Sequence, residues 1–262
     1  MGMNLGLQGR IALVTGASYG IGREIAFALA EAGCRVAICA RGMDRLERTA
    51  EDIRIKGVEC LPIQADATVP EDIDRVVDAV VATWGGIAIL VNNIGGVGGR
   101  VDMQIQDAPE KLWLAAYESN ALAAVRFSMR AIPFMRKAKW GRIVTITSVQ
   151  GREGGGRPWY NMAKTAETSL MKTLALNHDL VRDGITFNSV APGRVLFEGG
   201  DWDAFRNEDP ARFEARMKTD LPLGRPGTPE EVANVVAFVC SERASLVNGA
   251  AIAVDGGESR SF

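Results

Sequence analysis

The stretch RIALVTGASYGIGREIAFALAEAG, residues 10–33, decides the fold class. A short apolar run leads into a glycine-rich turn, and the turn opens directly into a helical segment. Such a run is typical of a parallel strand with both faces covered. Glycines in the turn let backbone N–H groups approach a pyrophosphate at the helix N-terminus. The stretch therefore predicts a dinucleotide-binding βαβ unit, and a glycine-rich turn without a ligand is the alternative.

The same alternation of apolar runs and helical segments continues along the chain. Strands are predicted at 10–15, 35–40, 58–65, 87–93, 141–147, 185–191 and 251–255. Helices are predicted at 20–33, 43–57, 70–85, about 109–137, about 158–182 and 229–241. This pattern predicts an α/β fold, a single Rossmann-type doubly wound parallel sheet of about seven strands with helices on both faces. No repeat or linker divides the chain, so we expect one dinucleotide-binding catalytic domain over residues 1–262.

Residues 194–227 break this rhythm because they are long, charged and rich in aromatic side chains. Phe197, Trp202, Phe205 and Phe213 all lie in this segment. An insertion of that size is either a functional lid or an oligomer contact. We expect a substrate lid at about 194–220, with its aromatic side chains either lining an apolar substrate pocket or packing against the core.

Composition excludes several classes of function. The chain has 262 residues, of which 47% are hydrophobic and 24% charged, and a formal net charge of −2. A net charge this small and negative does not favour binding to nucleic acid or to an anionic membrane. The single histidine, His178, argues against a multi-histidine zinc site, and we predict no metal site. Four scattered cysteines indicate free thiols, so we expect a cytoplasmic protein.

The residue after the second predicted strand bears on the cofactor. In dinucleotide-binding folds an acid near this position bonds the ribose 2′-hydroxyl, whereas an arginine suits a 2′-phosphate. Here the strand ends at Ala40 and is followed by Arg41. Arg41 therefore favours NADP(H), with NAD(H) possible, and a solvated loop arginine is the alternative.

A tyrosine and a lysine lie one helical turn apart in RPWYNMAKTAE, residues 157–167. Tyr160 and Lys164 share one helix face at that spacing. A nearby ammonium favours the phenolate form and makes a phenol a stronger acid. The pair is either an ordinary surface pair or an acid catalyst.

Eight motifs in order show that the sequence resembles the short-chain dehydrogenase/reductase family along essentially its whole length. They are Thr15-Gly16-x-x-x-Gly20-x-Gly22, Asp66-Ala67, Asn92-Asn93-Ile94-Gly95, Asn120, Ser148, Tyr160-x-x-x-Lys164, Pro192-Gly193 and Val254-Asp255-Gly256-Gly257. The resemblance implies an NAD(P)H-dependent oxidoreductase of ketones or secondary alcohols, of the carbonyl or 3-oxoacyl reductase type. It also implies a homotetramer built through the long helices and the C-terminal strands.

The resemblance implies a role for each matching residue. Tyr160 is the expected acid, Ser148 orients the substrate carbonyl, and Asn120 organises a water-mediated proton path to Lys164. The expected cofactor-binding residues are Gly16, Ser18, Tyr19, Gly20, Ile21, Gly22, Arg41, Asp66, Ala67, Asn93, Gly95, Tyr160, Lys164, Pro192, Gly193 and Val195. Among these, Asp66 holds the adenine, Asn93 and Gly95 line the adenosine ribose, and Lys164 bonds the nicotinamide ribose.

Several positions depart from the family pattern. Tyr19 stands where many NADP-preferring members have a basic residue, so Arg41 is expected to act largely alone. Stacking of the Tyr19 ring on Arg41 is the alternative role for this tyrosine. The sequence RVLFE, residues 194–198, replaces a region that often carries a threonine for the carboxamide. Four basic residues, Arg126, Arg130, Arg136 and Lys137, form either a patch for an acyl carrier or a solvated helix face.

Two other readings compete with the reductase. A catalytically silent NADP(H)-binding redox sensor needs the glycine turn but not the Asn-Ser-Tyr-Lys set, so that set favours catalysis. A sugar-nucleotide epimerase or dehydratase of the extended type fails on length, because 262 residues leave no room for a second domain.

Overall fold

Seven parallel strands form one sheet in the computed structural model, which describes residues 4–96 and 103–261. The strands are β1 (Ile11–Thr15), β2 (Arg35–Ala40), β3 (Cys60–Gln64), β4 (Ile89–Asn92), β5 (Gly141–Ile146), β6 (Ile185–Pro192) and β7 (Ala251–Val254). Their order is β3-β2-β1-β4-β5-β6-β7, and all neighbours are parallel. The order reverses between β1 and β4, and ligands of open α/β sheets bind at such a point.

Helices connect the strands and cover both faces of the sheet. They are α1 (Gly20–Glu31), α2 (Met43–Ile55), α3 (Pro70–Trp84), α4 (Glu110–Tyr117), α5 (Ala123–Ala138), α6 (Pro158–Ala175), α7 (His178–Arg182), α8 (Asp201–Glu208), α9 (Pro210–Asp220) and α10 (Pro229–Cys240). Local chemistry sets several boundaries: α3, α6 and α10 begin at proline, where the missing N–H costs nothing. Thr228 and Glu231 form a capping box at the start of α10. In the described ranges, no helix is both long enough and apolar enough to cross a bilayer.

Two apolar layers lie on opposite faces of the sheet. Successive strand residues point to opposite faces, so Val14 packs into the layer under α1, α2 and α10, whereas Leu13 packs under α3, α5 and α6. Both strand faces are therefore buried, which is why the strands are nearly continuous in apolar residues. This architecture confirms the predicted doubly wound fold.

Two of the predicted helices are interrupted. A π-helical turn at Glu118–Leu122 separates α4 from α5, so residues 109–137 are not one regular helix. The segment at 158–182 breaks before Asn177, whose side chain accepts hydrogen bonds from the backbone N–H groups of Asp179 and Leu180. An asparagine that caps a new helix start ends the preceding one, so α6 and α7 are separate.

The predicted lid segment contains α8 and α9, which pack against each other. Phe213, Met217 and Leu221 form a small buried cluster with Leu196, Trp202 and Phe205. The two ends of the segment meet, because Val195 bridges Gly227 and the Leu196 N–H donates to the Gly227 carbonyl at 2.9 Å. Most of the aromatic side chains in this segment therefore pack on one another.

Candidate active site

A cavity of about 930 Å³ opens at the carboxyl ends of β1, β4 and β5, beside the point where the strand order reverses. Most of the predicted site residues line it: Gly16, Ser18, Tyr19, Ile21, Gly22, Arg41, Asp66, Ala67, Asn93, Gly95, Ser148, Tyr160, Lys164, Pro192, Gly193 and Val195. Of the predicted set, Gly20 and Asn120 do not line the cavity.

The glycine turn after β1 has a backbone that other residues would strain. Gly16 has a φ of 67° and Gly20 a φ of 60°, both in the left-handed region that favours glycine. A Cβ atom on Gly22 would lie 2.4 Å from the Gly16 carbonyl oxygen. The Asn93 amide clamps the turn by donating to the carbonyls of Thr15 and Gly16 at 3.0 and 3.1 Å. Asn93 thus holds the turn in shape.

Phe197, one of the aromatic side chains expected either to line the pocket or to pack against the core, lines the cavity and packs on the glycine turn. A Cβ atom built on Gly20 would lie 2.8 Å from its ring, and the ring centroids of Phe197 and Tyr19 are 5.9 Å apart. The ring covers the backbone of Gly20, which explains why Gly20 does not line the cavity. The lid segment therefore touches the predicted pyrophosphate position.

The far end of the cavity carries two arginines, where the sequence analysis counted one. Arg45 lines the cavity together with Arg41, and its guanidinium lies 5.6 Å from the centroid of the Tyr19 ring. The first turn of α2 brings Arg45 to the same cavity as Arg41, so a second guanidinium is available beside the one that the sequence analysis singled out. It is Arg45 whose guanidinium lies over the Tyr19 ring. The available signal was a second arginine at the start of the helix predicted at 43–57, directly after the strand that ends at Ala40.

Asp66 lies at the same end of the cavity. Its carboxylate accepts hydrogen bonds from the Thr68 N–H at 2.9 Å and from the Thr68 hydroxyl at 2.8 Å. These bonds fix the side chain before any ligand binds.

Ser148, Tyr160 and Lys164 meet at the other end of the cavity. Ser148 follows β5, and its Oγ accepts a hydrogen bond from the Gln150 N–H at 3.2 Å, which leaves the hydroxyl proton available for donation. Lys164 Nζ lies 5.7 Å from the centroid of the Tyr160 ring and donates to the Ile146 carbonyl at 3.0 Å. The structure thus places a phenol, a hydroxyl and an ammonium around one space.

Glu167 is a buried partner of Lys164 that the sequence interpretation missed. The two side chains are 1% and 4% exposed, and Lys164 Nζ lies 2.9 Å from Glu167 Oε2. Burial opposes the Lys164 ammonium, but the charges of Glu167 and Tyr160 raise its pKa above the usual value. Burial raises the pKa of the Glu167 carboxyl to about 7, although Lys164 acts in the opposite direction. The spacing of three residues was the available signal.

Asn120 lies in the π-helical turn, fully buried beside Lys164. A Cβ atom on Gly95 would lie 2.3 Å from Asn120 Oδ1 and 3.0 Å from Lys164 Nζ, so the two groups flank Gly95. The Asn120 amide nitrogen donates to the Ala116 carbonyl at 2.7 Å, whereas Oδ1 has no hydrogen-bond partner among the described residues. A buried acceptor of this kind fits an ordered water between Asn120 and Lys164.

These features fit a dinucleotide. The cavity runs from the two arginines, past a turn that brings backbone close to a ligand, to the Tyr160 and Lys164 side chains. The Oδ1 atom of Asn120, which has no hydrogen-bond partner among the described residues, fits a proton relay that a water molecule completes. The residues that would hold the cofactor are those that line this cavity.

Comparisons with known proteins agree with the geometry. A family model described as enoyl-(acyl carrier protein) reductase matches residues 16–259. The 3-oxoacyl-(acyl-carrier-protein) reductase FabG of Aquifex aeolicus (strain VF5) is 36% identical over 257 residues, which cover 97% of this chain and 99% of that protein. The chain belongs to the short-chain dehydrogenase/reductase family. Its members among solved structures include L-sorbose reductase from Gluconobacter frateurii complexed with NADPH and L-sorbose, with a TM-score of 0.91, 33% identity and coverage of 99% of this chain and 100% of that chain.

A second solved member carries the other cofactor. The structure of 7α-hydroxysteroid dehydrogenase complexed with NADH and 7-oxo glycochenodeoxycholic acid has a TM-score of 0.88 and 32% identity, and the match covers 98% of this chain and 97% of that chain. The short-chain dehydrogenase/reductase assignment makes this chain an NAD(P)H-dependent oxidoreductase of carbonyl and alcohol groups.

Proposed function

We propose that the chain is an NADP(H)-dependent reductase of ketones or 3-oxoacyl thioesters, or the dehydrogenase of the matching secondary alcohols. The observation that carries this proposal is the convergence of Ser148, Tyr160 and Lys164 on the cavity that also holds the glycine turn. The relatives reported above are named reductases and dehydrogenases, which favours catalysis over a silent redox sensor.

In the proposed reduction the protein donates a proton to the substrate and orients the substrate carbonyl. A nicotinamide cofactor, when bound, supplies the hydride that the carbonyl carbon receives. Tyr160 donates its phenolic proton to the carbonyl oxygen, and Ser148 donates a hydrogen bond to the same oxygen. The buried ammonium of Lys164 stabilises the resulting phenolate. Asn120 holds a water next to Lys164, through which Tyr160 regains a proton.

NADP(H) is the preferred cofactor, and two arginines account for the preference. Arg41 and Arg45 line the end of the cavity opposite Tyr160. A guanidinium binds a 2′-phosphate through paired, charge-assisted hydrogen bonds. Ala40 ends β2 without a carboxylate that would repel that phosphate.

The proposal includes thioester substrates but does not include a binding patch for an acyl carrier protein on α5. Arg126 contacts Glu118 at 3.5 Å, Arg136 contacts Asp183 at 2.7 Å, and Arg130 pairs with Asp74. These acidic partners offset most of the basic charge seen in the sequence. The structure therefore favours the solvated helix face over the carrier-binding patch.

Assembly, domain organisation and location complete the proposal. A homotetramer is supported by exposed apolar side chains on α4–α6, namely Leu114, Tyr117, Met129 and Met162, and by the sheet-edge strand β7. One catalytic domain over 1–262 with a lid at about 194–220 remains a prediction. The four cysteines are free and buried, which supports a reducing compartment such as the cytoplasm.

A substrate panel tests the function. Ketones, 3-oxoacyl thioesters and secondary alcohols are assayed with NADPH, NADH and their oxidised forms by nicotinamide absorbance. We expect turnover of at least one carbonyl class with NADPH. Cofactor binding without turnover of any compound would instead support the sensor.

A further inference from the structure

Arg157 is an arginine with a largely buried side chain that lines the same cavity as Tyr160. It immediately precedes α6, lines the cavity with Ser148 and Tyr160, and its side chain is 13% exposed. Arginines are rarely buried to this degree unless they are paired. Arg157 therefore needs an explanation beyond a solvated loop.

The contacts within the described residues do not satisfy Arg157. Its ion-pair partner there is Asp201, the first residue of α8, at 3.8 Å. That separation exceeds a hydrogen bond, and the Asp201 side chain is 69% exposed, so the pair contributes little. The planar fork of donors on Arg157 is thus available to a ligand in the cavity.

The surroundings of Arg157 also favour negative charge. Arg157 immediately precedes the 18-residue helix α6, and the first turn of that helix contains no acidic residue. A helix N-terminus carries a partial positive charge, which adds to that of the guanidinium. The weakly paired guanidinium is therefore the feature that points to an anion, and α6 places no acidic residue in its first turn to oppose one.

We propose that Arg157 binds an oxyanionic group, a carboxylate or a phosphate, on the carbonyl substrate. This rests on the proposed function, in which Ser148 and Tyr160 hold the carbonyl oxygen. Arg157 lines the same cavity as Ser148 and Tyr160, so one substrate can present its carbonyl to the two hydroxyl groups and its anion to the guanidinium. The substrate class is oxo acids or phosphorylated ketones, and the bound anion replaces Asp201 as the partner of Arg157.

Matched pairs of substrates test this assignment. Acetoacetate is compared with ethyl acetoacetate, and dihydroxyacetone phosphate with dihydroxyacetone, in the parent enzyme and in Arg157→Met. We expect the ratio of kcat/KM for the anionic over the neutral compound to fall about 10- to 100-fold in the variant, mainly through KM, because charge-assisted hydrogen bonds are lost. The substrate pair whose kcat/KM ratio falls more in the variant shows whether Arg157 binds a carboxylate or a phosphate.

Two control variants separate anion binding from lid contacts. Arg206→Met removes an exposed lid arginine that pairs with Asp203 and does not line the cavity, so the ratio should stay unchanged. Asp201→Asn should preserve or raise the ratio, because it removes the competing carboxylate. Loss of the ratio in Asp201→Asn equal to that in Arg157→Met would assign the arginine to the lid and overturn the proposal.

Binding measurements keep the proposal separate from the proposed function. Calorimetry of acetoacetate and dihydroxyacetone phosphate with the NADP⁺ complex needs no turnover. Weaker binding of either anion in Arg157→Met supports the assignment even if no compound in the panel is turned over. A lack of turnover would refute only the proposed function. The anion-binding role of Arg157 would be overturned by equal binding of both anions in parent and variant. It would also be overturned by a larger NADPH dissociation constant in Arg157→Met.

Discussion

Replacing Glu167 by glutamine tests the electrostatics of the buried pair with Lys164. Burial raises the pKa of the Glu167 carboxyl from 4.5 to about 7 despite the opposing effect of Lys164. The folded state therefore holds this proton more tightly than the unfolded chain does. The resulting stabilisation is fully present below pH 4.5 and is lost as the pH rises through 7.

The displaced pKa corresponds to about 3 kcal/mol of pH-dependent stability. Glutamine has no titrating proton, so Glu167→Gln lacks this contribution. We expect parent and variant to have similar free energies of unfolding near pH 5. Between about pH 5 and pH 8 the parent should lose up to about 3 kcal/mol relative to the variant.

Urea unfolding followed by tryptophan fluorescence at several pH values measures this difference. Glu214→Gln, an exposed change on α9, is the matched control and should run parallel to the parent. Parallel curves for parent and Glu167→Gln, or a variant that becomes less stable than the parent at pH 8, would show that Glu167 does not titrate with a raised pKa in the folded state.

Activity gives a second readout of the same pair. The Glu167 carboxylate raises the pKa of Lys164, so its removal should lower that pKa and move the alkaline limb of kcat/KM to lower pH. An unchanged limb would mean that Glu167 does not sustain the charge of Lys164.

Three further predictions follow from the cofactor end, the lid and the assembly. The parent should have a higher kcat/KM with NADPH than with NADH, and equal kcat/KM values would contradict this. Arg41→Ala and Arg45→Ala should each lower the preference about 10-fold or more, because each removes a charge-assisted contact. NADPH should protect backbone amides of residues 194–220 from hydrogen exchange, since Phe197 lies on the glycine turn, and unchanged exchange would exclude the lid. Sedimentation should show a tetramer, and a stable monomer at micromolar concentration would exclude it.

The fold and most of the site could be predicted because their signals are local. A buried strand, a glycine turn and a helix follow one another within residues 10–33. Tyr160 and Lys164 are one helical turn apart, so spacing alone places them on one face. Each of these inferences needs only neighbouring residues.

The features that escaped prediction depend on contacts between distant segments. Phe197 meets Tyr19 only because the segment that carries it folds back onto the glycine turn. The acidic partners of the α5 arginines, Asp74 and Asp183, come from other elements of the chain. Glu167 lies within the quoted motif, but its role depends on which face of α6 is buried.

The role of Tyr160 as proton donor is tested by Tyr160→Phe, which removes one hydroxyl from the cavity. Tyr117→Phe makes the same chemical change on α4, outside the cavity lining, and serves as the control. kcat/KM with NADPH and an accepted carbonyl is measured alongside the NADPH dissociation constant. We expect a fall in turnover of about 10²- to 10⁴-fold for Tyr160→Phe with NADPH binding largely retained, and no fall for Tyr117→Phe. Turnover close to that of the parent in Tyr160→Phe would contradict the assignment of this phenol as the proton donor.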